Sequence, residues 1–267
     1  MTAEERKNRL ESYLQRVEFA SLEELSHHVD ASISTVRRDL TALEAAGNLR
    51  RTHGGARLLT PRSDEFAFTA RDTHQVSEKE AIGKACAELI GVNQSVILDA
   101  GTTIFHVAKH LEDKTLQIVT NSLPVANLFA SSNKTEVILA GGVIYPRLGV
   151  LVGPMTRDAF TNMRADVAIM GAGGITLEGV TNSHALLIDI QQAMLKAAQK
   201  IIFCLDHTKF GRQSVSFLCG LDMADVIVTD SHAPPELVAG LRERGVEVIV
   251  APGEPGNGEI AANKIPK

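Results

Sequence analysis

The chain has 267 residues, enough for one large or two modest domains, and 44% of them are hydrophobic, ample for real cores. A net charge of −5 excludes a general polyanion binder, and no apolar run approaches the roughly 20 residues of a membrane span. Cys86, Cys204 and Cys219 are odd in number and lie far apart in apolar surroundings, so they read as reduced, buried thiols of a cytoplasmic protein. The opening Met-Thr-Ala-Glu-Glu-Arg reads as charged and helical rather than as a signal peptide.

The first sixty residues carry two short helical patterns, Leu10–Leu14–Val17 and Leu22–Leu25–Val29. The second opens with Ser21-Leu22-Glu23-Glu24, a capping box in which Ser21 and Glu24 satisfy each other's orphan amides. Ser32 is expected to cap a third helix that stops near Gly47. Val36, Leu40 and Leu43 on that helix face a core, which leaves Ser34, Thr35, Arg37 and Arg38 pointing outward. Arginine suits guanine edges and phosphates, and hydroxyls make adaptable hydrogen bonds. The stretch from Arg50 to Arg57 reads as a hairpin, with Gly54-Gly55 expected at the tight turn because neither residue forbids a positive φ. Two adjacent arginines on a helix are usually just a solvated face. Here three short helices followed by a hairpin spell a winged helix-turn-helix over residues 1–58, and every local signal agrees. Residues 1–31 hold four basic and seven acidic side chains, whereas residues 32–60 hold five basic and two acidic ones. Positive charge is therefore concentrated on the expected DNA face. The candidate DNA contacts are Ser32, Ser34, Thr35, Arg37, Arg38, Arg51, His53 and Arg57. Asp39 would repel phosphates there, so it is expected to pair with an arginine and hold it in position.

Residues 59–77 read as a linker that Phe66 and Phe68 pin to a neighbouring surface. A helix is predicted over about 78–90, followed by apolar runs at 95–99, 117–120, 136–140, 166–170, 200–205, 225–229 and 246–251, each followed by a helical pattern. Alternating strands and helices predict a mostly parallel α/β domain over 78–256 with helices on both faces, ahead of a tail at 257–267. Ligands of such sheets bind beyond the carboxyl ends of the strands. Small or polar clusters stand at five of those ends, and they suggest a pocket for a small, phosphorylated, hydroxyl-rich molecule. Asp99, Gly101, Thr102 and Thr103 form the first, where a helix N-terminus and two hydroxyls suit an anion. The others are Asn121 with Ser122, Gly141 with Gly142, Gly171 with Gly173, and Lys209. Lys209 is expected to hold the phosphate with Thr102 and Thr103, while Asp99 and Asn121 read sugar hydroxyls.

Other constellations carry less. His106 and His110 have metal-ligand spacing but no evident third ligand, and read as two partly exposed helix histidines. His27-His28 reads as surface. Ser183, His184 and Asp189 contain triad residue types without a nucleophile elbow. No metal and no cofactor are expected.

The N-terminal module resembles the DeoR-type (DeoR/GlpR) bacterial transcription regulators. The resemblance rests on Arg6, Leu10, Leu14, then Ser32, Thr35, Val36, Arg37, Arg38, Asp39 and Leu40, with His53-Gly54-Gly55-Ala56 as the wing. Glu78-Lys79-x-x-Ile82, Leu98 to Thr103, Val119 to Ser122, Gly141-Gly142 and Asp206-x-x-Lys209-Phe210-Gly211 resemble the family's sensor domain in order. The resemblance implies a sensor similar in fold to ribose-5-phosphate isomerase and coenzyme-A transferases, and a sugar phosphate or related metabolite as effector. The family often has an aspartate where this chain has Gly173, and a Glu-rich helix with a Lys where this chain runs from His184 to Met194. The expected protein is a cytoplasmic, non-enzymatic repressor of a carbohydrate operon, a homodimer or homotetramer that binds double-stranded operator DNA and no membrane. A sugar-phosphate isomerase carrying a DNA-binding module is the alternative, with Asp99 and Asp206 as candidate bases.

Overall fold

The computed structural model describes residues 2–17, 19–45, 49–52, 54–58 and 67–253. The chain divides into two compact units at Phe66 and Ala67. Of the expected linker, residues 59–66 lie outside the described part, as do Gly47, His53 and the tail from 254. The side chains of Val17, Arg50 and Arg57 lie outside it too.

The first unit contains α1 (Ala3–Val17), β1 (Phe19–Ser21), α2 (Leu22–His28), α3 (Ile33–Ala45), β2 (Leu49–Thr52) and β3 (Gly55–Leu58). The capping box forms as the sequence predicts: the Glu24 amide donates to Ser21 Oγ at 3.2 Å, and the Ser21 amide donates to Glu24 Oε2 at 2.8 Å. Ser32 caps α3 by accepting from the Thr35 amide at 3.3 Å. Between α2 and α3 the chain turns through Asp30, whose φ of 47° is left-handed. Leu10, Leu25, Val36, Leu40 and Leu49 are fully buried together and form the core on which the helices converge. Asp39 is buried and paired with Arg6 of α1, Nε to Oδ2 at 2.5 Å and Nη2 to Oδ1 at 3.2 Å. This two-pronged pair fastens α1 to α3.

One sequence expectation is corrected here. Gly55, expected in the turn, is the first residue of β3. β3 pairs with both β2 and β1, and the β1 pairing, unpredicted from sequence, brings Ser21 opposite Gly55. A Cβ on Gly55 would lie 2.1 Å from the Ala20 carbonyl oxygen. Close backbone approach therefore demands the glycine.

The second unit opens with α4 (Phe68–Asp72) and α5 (Val76–Glu88), so helix occupies most of 67–77 and α5 starts two residues before the predicted position. Phe68 packs edge-on against Phe105, with centroids 5.5 Å apart. There follow β4 (Ser95–Leu98), α6 (Thr102–Lys109), β5 (Gln117–Thr120), α7 (Leu123–Phe129), β6 (Glu136–Leu139), β7 (Val143–Tyr145), β8 (Val150–Val152), α8 (Pro154–Thr161), β9 (Ala165–Met170), β10 (Gly174–Thr176), β11 (Gly179–Asn182), α9 (Ala185–Ala197), β12 (Ala198–Cys204), β13 (Ser216–Cys219), β14 (Val226–Thr229), α10 (Pro235–Glu243) and β15 (Glu247–Val250). The seven predicted strands make one parallel sheet in the order β15-β14-β12-β9-β4-β5-β6.

Alternation along these strands feeds two cores. Val96, Leu98, Ile118, Val167, Ile202 and Val228 point to one face, with Ile82, Ile104 and Phe129 of α5, α6 and α7. Ile97, Val119, Ala168, Phe203 and Ile227 point to the other, with Phe160, Met194 and Leu241 of α8, α9 and α10. Apolar residues at every position of a strand are what a sheet covered on both faces requires. The antiparallel sheet β10-β11-β13 and the hairpin β7-β8 were not legible in the sequence. They are short, and half of the hairpin is exposed.

Cys86, Cys204 and Cys219 are buried and unpaired, and burial pushes the Cys204 and Cys219 thiols up, the latter to about 12. Among the described residues no helix is long and apolar enough to cross a membrane. His106 is not partly exposed as expected: it is buried, bonded by Nδ1 to Glu80 Oε1 at 2.6 Å and by Nε2 to Asp72 Oδ1 at 3.2 Å. Glu80 also bonds His110 at 2.8 Å, so the two histidines help tie α4, α5 and α6 together. His27 and His28 are exposed, His28 stacked on Tyr13. Ser183 precedes α9 rather than sharing it with Asp189, and bonds Ser214 at 3.3 Å.

Candidate nucleic-acid interface and effector site

On α3 the buried positions Val36, Asp39, Leu40 and Leu43 leave Ser34, Arg37, Arg38 and Thr41 on the opposite, exposed face. The hydroxyls of Ser32, Ser34 and Thr35 cluster at the helix N-terminus, with Ser32 Oγ 2.9 Å from each of the others. Free helix amides and hydroxyls at the start of a recognition helix, followed by two arginines, suit phosphates and then base edges. Thr41 Oγ1 donates to the Arg37 carbonyl at 2.8 Å and accepts from Arg51 Nη1 at 2.6 Å. The Arg51 amide donates to Glu44 Oε1 at 2.9 Å. Arg51 thus ties the wing to α3 rather than standing clear of it. Positions 50 and 57 are paired in register across the β2–β3 ladder.

In the second unit the chain reverses between β4 and β9. From β4 the strands run outward through β5 to β6, and from β9 they run the other way to β15. A crevice opens at the carboxyl ends of two such neighbours. Asp99 stands there. Its Oδ2 accepts from Gln191 Nε2 of α9 at 2.7 Å and from the Gly171 amide at 3.1 Å. Burial pushes its carboxyl up to about 6, against the pull of those bonds, the Ala100 amide and the charge of Arg71.

Gly101 follows with φ of 124° and open space where a Cβ would be, and no side chain caps α6. Thr102 is buried and Thr103 half-buried at the first turn. Arg71 of α4 reaches the same region. Its Nε is buried without a hydrogen-bond partner, and burial and the neighbouring Arg147 depress its pKa. Burial and the same two arginines depress His184. Lys79, buried, donates to the carbonyls of Arg71 and His74 and holds the end of α4. Sequence reasoning noted Lys79 only as part of a family motif and missed Arg71, Arg147 and Gln191, of which only Gln191, polar within an apolar helix, could have drawn notice.

The other expected site residues are divided. The β7–β8 hairpin lies over the end of β5: the Leu151 amide donates to the Asn121 carbonyl, and Asn121 Nδ2 to the Leu151 carbonyl, each at 2.9 Å. Asn121 and Ser122 are therefore buried, Ser122 as the cap of α7. Asn121 Oδ1 is left without a partner. Gly141 and Gly142 are both exposed; Gly142 takes φ of 154°, and a Cβ there would lie 2.1 Å from Thr156 Oγ1. At Gly173 a Cβ would meet Ser214 Oγ at 2.7 Å and the Ser183 amide at 2.9 Å, so two serines fill the room an aspartate would need. Gly171 is half-buried beside Asp99. Lys209 sits in a 3-10 turn after β12 with Nζ 3.9 Å from Asp206 Oδ2. It is two strands from β4, about 10 Å away at sheet spacing.

A winged helix with a basic recognition helix, joined to a parallel α/β unit with a charged crevice at its switch point, defines a DNA-binding regulator with a sensor domain. The DeoR-like helix-turn-helix domain matches residues 6–62, and the DeoR C terminal sensor domain matches residues 74–231. The HTH-type transcriptional regulator GolR of Listeria innocua is 33% identical over 249 residues, covering 92% of this chain and 98% of that protein. The glycerol-3-phosphate regulon repressor of Escherichia coli is 31% identical over 250 residues, covering 93% and 99%. Ribose 5 phosphate isomerase A from Neisseria gonorrhoeae aligns with 51% of this chain and 53% of its own at 16% identity, with a TM-score of 0.37. The chain belongs to the DeoR family of DNA-binding transcriptional regulators.

Proposed function

We propose that this regulator is a cytoplasmic repressor of a carbohydrate operon, released or engaged by a small phosphorylated sugar bound at the β4–β9 crevice. The observation that carries the ligand class is Arg71. A half-buried guanidinium whose buried Nε has no hydrogen-bond partner, repelled by a second arginine, favours an anion that adds to the charge of Asp99. The uncapped start of α6 at Gly101, Thr102 and Thr103 adds amides aimed at the same anion. Lys209 supplies a cation from β12, and Asp99 is suited to a sugar hydroxyl. Relatives named for glycerol 3-phosphate make a phosphate ester the first candidate. The ligand is bound without turnover in this reading.

Calorimetric titration with glycerol 3-phosphate and ribose 5-phosphate tests this. Arg71→Gln and Lys209→Ala are each expected to lose a charge-assisted bond of about 1.5–3 kcal/mol, roughly a 10- to 100-fold weaker Kd, with operator binding intact. Unchanged affinity in both variants, or equal binding of the unphosphorylated sugar, removes the phosphate from the site.

The DNA contact is tested separately. Arg37→Ala is expected to weaken specific binding by roughly 1–3 kcal/mol, and Arg57→Ala to weaken all sequences alike, flattening the salt dependence by about one unit. One winged helix offers few base contacts, so we infer a homo-oligomer that protects half-sites about 34–36 Å apart. Parental affinity in both variants at matched salt, or a single protected half-site, contradicts the assignment.

A further inference from the structure

Glu78, His207 and His232, from three separate parts of the sequence, bring one ligand atom each to within 4.8 Å of one another. They come from three elements: the first turn of α5, the 3-10 turn after β12 and the loop after β14. We propose that these three side chains bind one divalent transition-metal ion of the zinc type.

Asp230 organises the group. It is only 2% exposed; Oδ2 accepts the His207 amide at 2.7 Å, and Oδ1 accepts the His232 amide at 2.9 Å. Oδ1 also lies 3.0 Å from His207 Nδ1. A carboxylate on Nδ1 fixes the imidazole with its proton there and leaves Nε2 as a lone pair, as in histidines whose other nitrogen binds a metal. Asp230 is thus a positioning residue, not a ligand.

Glu78 is mostly buried, and the Gln75 amide, turned with its nitrogen toward it, donates to both carboxylate oxygens at 3.1 Å. Two of the three ligands are therefore held before any ion arrives. The third, His232, has 64% of its side chain exposed, with Nδ1 3.3 Å from Asp230 Oδ1 and 3.8 Å from Glu78 Oε1, and its ring centroid 5.2 Å from that of His207. Its ring is able to turn and close the remaining gap to the 3–3.5 Å that separates ligands bound at about 2.0–2.1 Å. The nearby Lys209 ammonium is directed at Asp206. Two imidazoles and one carboxylate suit zinc or cobalt rather than calcium or magnesium, and three protein ligands leave a fourth position open to water or a ligand oxygen. The inference does not depend on which sugar the crevice takes.

The test is titration of the untagged full-length chain, freed of metal by chelator, with Co²⁺. One equivalent per chain with the visible absorption of a four- or five-coordinate site is expected, displaced by Zn²⁺. H232A, at an exposed position, and E78Q should each abolish the absorption; D230N should weaken binding roughly 10- to 100-fold. Replacing His27 and His28 should change nothing. Far-UV circular dichroism checks that each variant is folded. Absence of the absorption in the parent, or its survival in both H232A and E78Q, overturns the site.

Discussion

Replacing Leu40 by alanine is expected to destabilise the N-terminal unit by about 2–5 kcal/mol, the cost of deleting a fully buried leucine and leaving a cavity. Leu40 has no exposed surface and sits among Leu10, Leu25 and Val36, where α1, α2 and α3 meet. A unit of this size has a net stability of only about 3–5 kcal/mol, so the loss is comparable with the whole. Operator binding should disappear, and calorimetric unfolding of the full chain should show the N-terminal transition lowered or absent while the effector still binds. Arg37→Ala, one turn earlier at an exposed position, should leave stability within about 0.5 kcal/mol and yet weaken operator binding. If Leu40→Ala matches the parent in both unfolding and operator affinity, the burial of α3 is misassigned.

Asp99→Asn is expected to act in the opposite direction. Burial holds the folded carboxyl at about 6, whereas the unfolded one releases its proton near 3.8. Between these values the folded chain binds more protons, so the stability this group contributes is fully present below 3.8 and is lost as pH rises through about 6. Above that, the buried charge costs about 3 kcal/mol. An asparagine oxygen in place of Oδ2 keeps the bonds from Gln191 and Gly171 and removes the charge, at the loss of about 1 kcal/mol from the Ala100 amide. The variant should therefore be about 2 kcal/mol more stable at pH 8, with the gain gone below pH 4. Urea unfolding at pH 8, 5 and 4 checks this, and a difference independent of pH would falsify it. Affinity for the phosphorylated sugar should fall in the same variant, because an ionised carboxylate retained at such a cost is what a function-bearing position shows.

The sequence by itself determined the elements whose signals are local. Capping at Ser21 and Ser32, the exposed face of α3 and the seven apolar strands all depend on side chains two to four residues apart, and each was legible. The same holds for the cluster at Asp99 to Thr103, where a strand end meets a helix start. Tertiary structure decided everything that depends on strand order. Asp99 and Gln191 are 92 residues apart and meet only because β9 lies beside β4. Asn121 and Ser122 look like pocket residues until the β7–β8 hairpin pairs over them, and Gly55 looks like a turn residue until β1 is laid against β3. Arg71 sits in a stretch that reads as linker, Arg147 in a loop, and Glu78, His207 and His232 at spacings no motif links. Local periodicity follows from backbone geometry within a turn or a pleat, whereas these meetings follow from which strands are neighbours. That order is set by the packing of the two cores on either face of the sheet, a property of the whole domain that no window of sequence contains.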